Sequence, residues 1–437
     1  MNFEKLFAQA KTRGMEDVQA FLTRRNELAI QVYEGELENY EISDFSHLVL
    51  RGLYNGRLGT FVTEVLDDSV IDLAVESMIA NAKIIDSPDQ AVIYAGDPAY
   101  EKLTGLFSES LEQMDVAEKI AAVKRLDHTI HAKDARVSTG QTMYGETTKT
   151  VFLQNTKGLK LEDKANSAYL GGEVIVKDEN DQRTGFDLEI SNDFADFDID
   201  RLAGKILEEG LGALGAKPIP TRPYEIILRH DALAVLLSTF QGVFSAEAVQ
   251  RNMSLLKGKL GQKVGSDLVT IVDDPFLPKS SSSRSFDDEG CATRRKDLIK
   301  DGVLTTFLHN LSTAAKDGIT TTGNGFGGGV SFVNMKFLPG TIPFEALIAS
   351  VNDGLLVTGL QGSHAGANPV SGDFSLQATG FLIQNGKLGA PVALVTVAGN
   401  FLPLLQDVVA VGADVKTGYY GITCPSVKIR SLAVSGL

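Results

Sequence analysis

The sequence predicts an α+β protein, with an N-terminal α/β part of repeated meander-plus-helix units and a C-terminal β-rich, barrel-like domain. Three observations lead there. Before residue 215, a series of β-type segments followed by a helix-period stretch occurs twice. The loop GAKPIPTRP, with three prolines between Gly215 and Pro223, then interrupts the chain. Beyond it, short apolar segments alternate with glycine turns and helix-period stretches are few. Domain limits accordingly fall at 1–222 and 223–437, the two similar units of the first spanning about 1–90 and 112–214.

Asn2 to Thr12 reads as a short amphipathic helix with Phe3, Leu6 and Phe7 on one side. Val18 to Glu64 reads as an antiparallel meander of short strands, with turn signals at Arg25-Asn26, Glu34-Gly35 and Tyr54-Asn55-Gly56. Asp67 to Ile85 is helical, with Val70, Leu73, Ala74 and Met78 at helical spacing and a stop at Asp86-Ser87-Pro88. After an irregular connection from Ala91 to Leu111, Asp115 and Glu118 open a helix that runs to about Lys133. Strands follow from Arg136 to Ile190, broken by turns at Asn155–Gly158 and Asp178–Asp181, and a helix runs from about Asp198 to Leu214. Past the boundary, Tyr224–Leu228 is a strand leading into an apolar helix from Asp231, and Pro343–Ala349 is a further helix. Glycines clustered at 323–329 and 359–372 are flanked by apolar strand-like runs, as a closed or strongly curved sheet requires.

The net charge of −15 sits entirely in residues 1–222, which hold 24 Lys+Arg against 39 Asp+Glu, while the remainder has 17 of each. No basic stripe exists for a phosphate backbone, so direct nucleic-acid binding is excluded. The N-terminus lacks a signal-peptide pattern, and no apolar run approaches the roughly 20 residues of a membrane span. Cys291 and Cys424 fit neither a disulfide framework nor a zinc knuckle. The expectation is a cytoplasmic protein with reduced thiols and no membrane partner.

Candidate chemistry is sparse. His47, His128, His131, His230 and His309 are scattered, without a recognised metal spacing. His364, among Gly362, Gly366 and Gly372, is a candidate groove residue. The run Ser280–Ser283 beside Arg284 reads as a mobile loop, and no GxSxG elbow is present. Acids at Asp287-Asp288-Glu289 should raise the Cys291 thiol pKa, and the FDDEG block reads as a turn whose acids cap backbone amides. TGNGFGGG lacks the Lys-Ser/Thr ending of a phosphate loop.

Five blocks in order, LLSTFQGVFSAEAVQR (Leu236–Arg251), FDDEG (Phe286–Gly290), TGNG (Thr322–Gly325), GANPVSGDFS (Gly366–Ser375) and SVKIRSLAVSG (Ser426–Gly436), give a chain that resembles the TldD/PmbA family. These are peptidases and peptidase-like proteins once called modulators of DNA gyrase. The resemblance implies that Ser238, Thr239 and Val243 stand where the zinc-bearing branch reads HEAxGH, and that Lys416–Tyr420 is shortened where a ligand cysteine would lie. It places the chain nearer the PmbA/TldE branch: itself without cofactor, zinc belonging to a TldD-like partner, and unfolded peptides as substrates. A homodimer is the alternative assembly. A stand-alone hydrolase and a non-enzymatic peptide-binding scaffold are the alternative functions. Peptide is expected in a groove near Gly359–Ser375, where Gly366 admits another backbone and Asn368, Asp373 and His364 contact it.

Overall fold

The computed structural model describes residues 1–85, 92–418 and 421–437; the helix stop read at Asp86-Ser87-Pro88, and Tyr419 and Tyr420 of the shortened loop, lie outside them. The N-terminal elements are α1 (Phe3–Thr12), β1 (Asp17–Tyr33), β2 (Glu36–Tyr54), β3 (Arg57–Thr63), α2 (Ile71–Ile84), α3 (Glu109–Gln113), α4 (Val116–Lys133), β4 (Val137–Asn155), β5 (Lys160–Lys177), β6 (Gln182–Ser191) and α5 (Ile199–Gly212). The two meanders fuse into one antiparallel sheet of order β3-β2-β1-β4-β5-β6, joined where β1 pairs β4 from Gln19↔Asn155 to Tyr33↔Gln141. Glu34-Gly35 and Asn55-Gly56 make the hairpin turns, all four residues with positive φ.

Arg25-Asn26 is not a turn. These residues lie in the middle of the 17-residue β1, paired with Phe45 and Asp44 on one side and Lys149 and Thr148 on the other. Two complete ladders satisfy their backbone groups, so local polarity does not end the strand.

Four helices cover one face of the sheet. α1 and α2 pack over Leu22, Leu48 and Leu50, while α4 and α5 pack over Ile30, Tyr144, Leu170 and Val174. Residues of the other parity, including Phe21, Arg25, Lys149 and Val151, point to the opposite face.

The second half comprises β7 (Arg222–Leu228), α6 (His230–Phe240), α7 (Ala246–Gln250), β8 (Ile271–Asp273), β9 (Lys296–Lys300), β10 (Val303–Leu304), α8 (Leu311–Asp317), β11 (Gly325–Phe326), β12 (Gly329–Val330) and β13 (Met335–Phe337). There follow α9 (Phe344–Ala349), β14 (Asp353–Gln361), α10 (Ser363–Gly366), β15 (Asp373–Gln384), β16 (Lys387–Asn400), α11 (Phe401–Gln406), β17 (Val408–Thr417) and β18 (Thr423–Ser435). Pairings β7–β14–β15–β16–β18–β7 close a ring, which leaves these strands few free edges. Leu233, Leu236, Leu237 and Phe240 of α6 share one core with ring residues Ile226, Val357, Leu376, Val397 and Ile429. That shared core explains why α6 is apolar nearly all round.

Ser280–Ser283 is a hydrogen-bonded turn rather than a mobile loop. Ser280 Oγ donates to Asn334 Oδ1 (2.8 Å), and the buried Ser283 hydroxyl donates to the Leu277 carbonyl (2.9 Å) and accepts from Asn334 Nδ2 (3.0 Å). Among the described residues, no helix is long and apolar enough to cross a membrane.

Candidate functional site

The end of α6 fixes the three positions singled out in the sequence. Phe240 is the last residue of α6, and its ring stacks on Phe401 with centroids 4.6 Å apart. Ser238 Oγ and Thr239 Oγ1 both turn back onto the Val235 carbonyl, at 2.8 and 2.7 Å. Val243 is 1% exposed and lies in the core. Zinc does not fit these residues: two engaged hydroxyls and a buried isopropyl group offer neither an imidazole nor a carboxylate. Cys424 gives no substitute, because its buried thiol donates to the His230 carbonyl (3.2 Å) and burial pushes its pKa up.

The start of α6 is electrostatically tied to the N-terminal domain, which sequence reasoning missed. Arg229 contacts Glu209 of α5 (2.5 Å) and Asp231 (2.8 Å), and Lys416 contacts Asp187 of β6 (2.6 Å). Burial opposes the charge on Asp231, but the hydrogen bond from His230 and the charges of Arg229 and Lys416 outweigh it and hold the pKa at about 2.

Gly366, Asn368 and Asp373 come together where the end of α10 turns into β15. A Cβ on Gly366 would stand 2.3 Å from the Ser375 carbonyl, so this glycine lets the loop lie against its own strand β15. Asn368 Oδ1 accepts from the Val370 and Ser371 amides, and Asp373 Oδ1 accepts from Asn400 Nδ2. His364 is exposed beside this turn. Both neighbours of β14 and both of β15 are filled within the ring.

The FDDEG block joins the two domains. Phe286 is fully buried against Phe21, Val151 and Leu153 of the sheet's second face. Asp163 of β5 accepts from the Ser285 amide (2.7 Å), and Gln19 of β1 donates to the Asp288 carbonyl (3.0 Å). Its acids do cap amides. Asp287 takes those of Glu289, Cys291 and Gly325, Asp288 takes Gly327, and Glu289 takes Leu311. Burial and the neighbouring Glu289 push Asp287 up to about 7, and burial followed by Asp287 and Glu289 drives the Cys291 thiol up. Asp287, Glu289 and Cys291 have donor atoms within 4.8 Å of one another, yet both Asp287 oxygens are already occupied by amides. Of the TGNG block, Asn324 is buried and hydrogen-bonds Lys296 and Asp273, a structural network beneath the glycines.

A groove of about 770 Å³ lies between the domains along the outer edge of β6. Leu188 and Ile190 point to one face of the sheet and Glu189 and Ser191 to the other, yet all four line the groove. Only the edge of a strand presents both parities to one space, so the β6 backbone forms its floor. The turn Leu277–Ser282 and Lys416 stand opposite. Among the described residues, β6 ends the sheet and pairs with β5 alone. The outward Leu188 amide donates to Asp187 Oδ1 (2.9 Å), the same oxygen that Lys416 Nζ holds.

Comparison with known proteins covers nearly the whole chain. Residues 18–82, 109–214 and 221–436 match, respectively, domain 1, the central domain and the C-terminal domain of the PmbA/TldA metallopeptidases. Metalloprotease PmbA of Escherichia coli O157:H7 is 27% identical over 98% of this chain and 94% of its own. The structure of a candidate modulator of DNA gyrase from Thermotoga maritima superposes with a TM-score of 0.93 at 35% identity, covering 99% of both chains. TldE from Thermococcus kodakarensis shares the fold, with a TM-score of 0.89 at 24% identity over 99% of this chain and 100% of that one.

Proposed function

Because the chain belongs to the PmbA/TldA metallopeptidase (TldD/PmbA) family, we propose that it is a non-catalytic, PmbA/TldE-like subunit of a peptide-processing complex. The observation that carries this reading is the donor set at and just after the end of α6: Ser238, Thr239 and Val243 supply no zinc ligand and no general base. Metal and chemistry then come from a TldD-like partner subunit. This chain contributes a wall of the substrate channel.

Unfolded peptides are the substrates, and the groove along β6 is where this chain holds them. An unpaired strand edge offers backbone donors and acceptors to any extended chain, which suits substrates of varied sequence. We favour β6 over Gly359–Ser375 because Asn368 Oδ1 and Asp373 Oδ1 are engaged within their own turn.

The test is reconstitution with a TldD-like protein from the same cell, with zinc measured on each component. Cleavage of an unfolded peptide only in the mixture, with no stoichiometric zinc on this chain, is expected. Cleavage by this chain alone would replace the proposal with a stand-alone hydrolase. One zinc per chain lost on mutating Ser238 and Thr239 would overturn the assignment of the metal to the partner.

A further inference from the structure

We propose that Arg25, Lys149 and Arg284 form an anion site on the second face of the six-stranded sheet, beside the docked C-terminal domain, and that it takes a carboxylate of the bound peptide. The inference rests on the peptide-binding reading above and names the group recognised.

In a chain of net charge −15, these three cations converge without enough counter-charge. Arg25 and Lys149 are direct cross-strand partners on β1 and β4. Like charges at such a pair, with Cβ atoms roughly 5 Å apart, repel and destabilise a sheet. Arg284 reaches the same face from the other domain, its guanidinium over the rings of Phe286, Phe326 and Phe21 at 5.0, 5.3 and 5.4 Å. Its side chain is 7% exposed.

The nearby acids are already committed. Asp288 accepts from Arg284 Nη1 (2.8 Å) and from the Gly327 amide, and Asp163 is held by Ser285. Glu27 reaches Arg25 Nη1 only at 3.4 Å. Among the described residues the Lys149 ammonium has neither ion pair nor hydrogen bond. Burial, then Arg284 and Arg25, bring its pKa down to about 8. Arg284 Nε and Nη2, and Arg25 Nε, are buried donors with no acceptor.

Buried unsatisfied donors on charged groups are costly and call for a partner. Nε and Nη2 form one edge of a guanidinium, the two-donor fork that fits the two oxygens of a carboxylate. Lys149 and Arg25 are only half-buried, so the cluster reaches solvent through them while the fork itself lies beneath the surface. A peptide on the outer edge of β6 is three strand spacings from β4, and Lys149 pairs with Ala165, beyond the last β5–β6 pair at Ala168↔Ser191, so the separation is roughly 17 Å. An extended peptide seated on β6 therefore spans the distance with a few residues.

The carboxylate can be the peptide's C-terminus or an Asp/Glu side chain. Labelled peptides separate these sources: one with a free C-terminus, one amidated but containing Glu, and one amidated without acids. Each is titrated into the purified chain and into Lys149→Met and Arg25→Gln, with melting curves in low-salt buffer with and without acetate. At least one acidic peptide should bind about tenfold more tightly than the neutral one. Both variants should abolish that difference, and Lys149→Met should melt higher than the wild type without acetate. Equal affinity for all three peptides overturns the anion site and leaves the groove reading standing. If no peptide binds, yet acetate raises the melting temperature of the wild type and not of the variants, the anion site stands and the peptide as its source falls. Acetate shifts that are the same in all three proteins, with no peptide bound, sink both.

Discussion

Replacing Phe286 with alanine should uncouple the two domains. The ring is fully buried where the C-terminal domain meets Phe21, Val151 and Leu153 of the sheet. Phe-to-Ala changes in a packed core cost about 3–5 kcal/mol, and loss of the cation–π contact with Arg284 adds about 1 kcal/mol. Phe286→Leu keeps most of the volume and should cost about 1–2 kcal/mol. The loss falls on the joint, because the cores beneath α1/α2 and α4/α5 and the core of the ring do not include Phe286. Urea unfolding followed by circular dichroism, with hydrogen exchange along Val151–Leu153 and at Gly325, reads it out. The expected result is a transition split in two, with early loss of protection at the Gly325 amide, which Asp287 now holds. A Phe286→Ala protein that unfolds in one transition, within about 1 kcal/mol of the wild type, would refute the assignment of Phe286 as the joint.

Three further outcomes follow from single contacts. Gly366→Val should lower the melting temperature markedly, since its Cβ would meet the Ser375 carbonyl at 2.3 Å; an unchanged melt would show that the turn relaxes freely. Asp231, whose folded pKa of about 2 lies below its ordinary value of 3.8, contributes stability that is complete above about pH 4 and is lost as the pH falls through 2. Asp231→Asn should therefore flatten the acid limb of the stability curve by about 2 kcal/mol, and identical limbs in the two proteins would count against the network. Lys416→Ala should speed exchange of the Leu188 amide, because it frees the Asp187 carboxylate that caps it; unchanged protection would mean that Lys416 does not order this edge.

Local signals were legible wherever structure depends on neighbouring residues. The turns at Glu34-Gly35, Asn55-Gly56, Asn155–Gly158 and Asp178–Asp181 follow from backbone chemistry confined to a few residues, and they set the two meanders. That Ser238, Thr239 and Val243 offer neither an imidazole nor a carboxylate is a matter of side-chain chemistry and is readable from sequence alone. The amide-capping role of FDDEG was also readable, because acids in a glycine-ended turn satisfy adjacent N–H groups.

Arg25-Asn26 misled because a turn-like dipeptide remains in a strand when ladders on both sides bind its backbone, and those partners come from β2 and β4. The serine run misled for a similar reason: Asn334 from a distant segment satisfies its hydroxyls. The β6 groove, the Phe286 joint and the cluster of Arg25, Lys149 and Arg284 left no sequence signature. Each is made by residues more than eighty positions apart, and only the closing of the sheet and the docking of the second domain bring them together. Turns, helix starts and the side-chain chemistry of each position are written in the sequence; which charges are buried beside one another and which strand edge stays open depend on pairings that no local stretch of chain encodes.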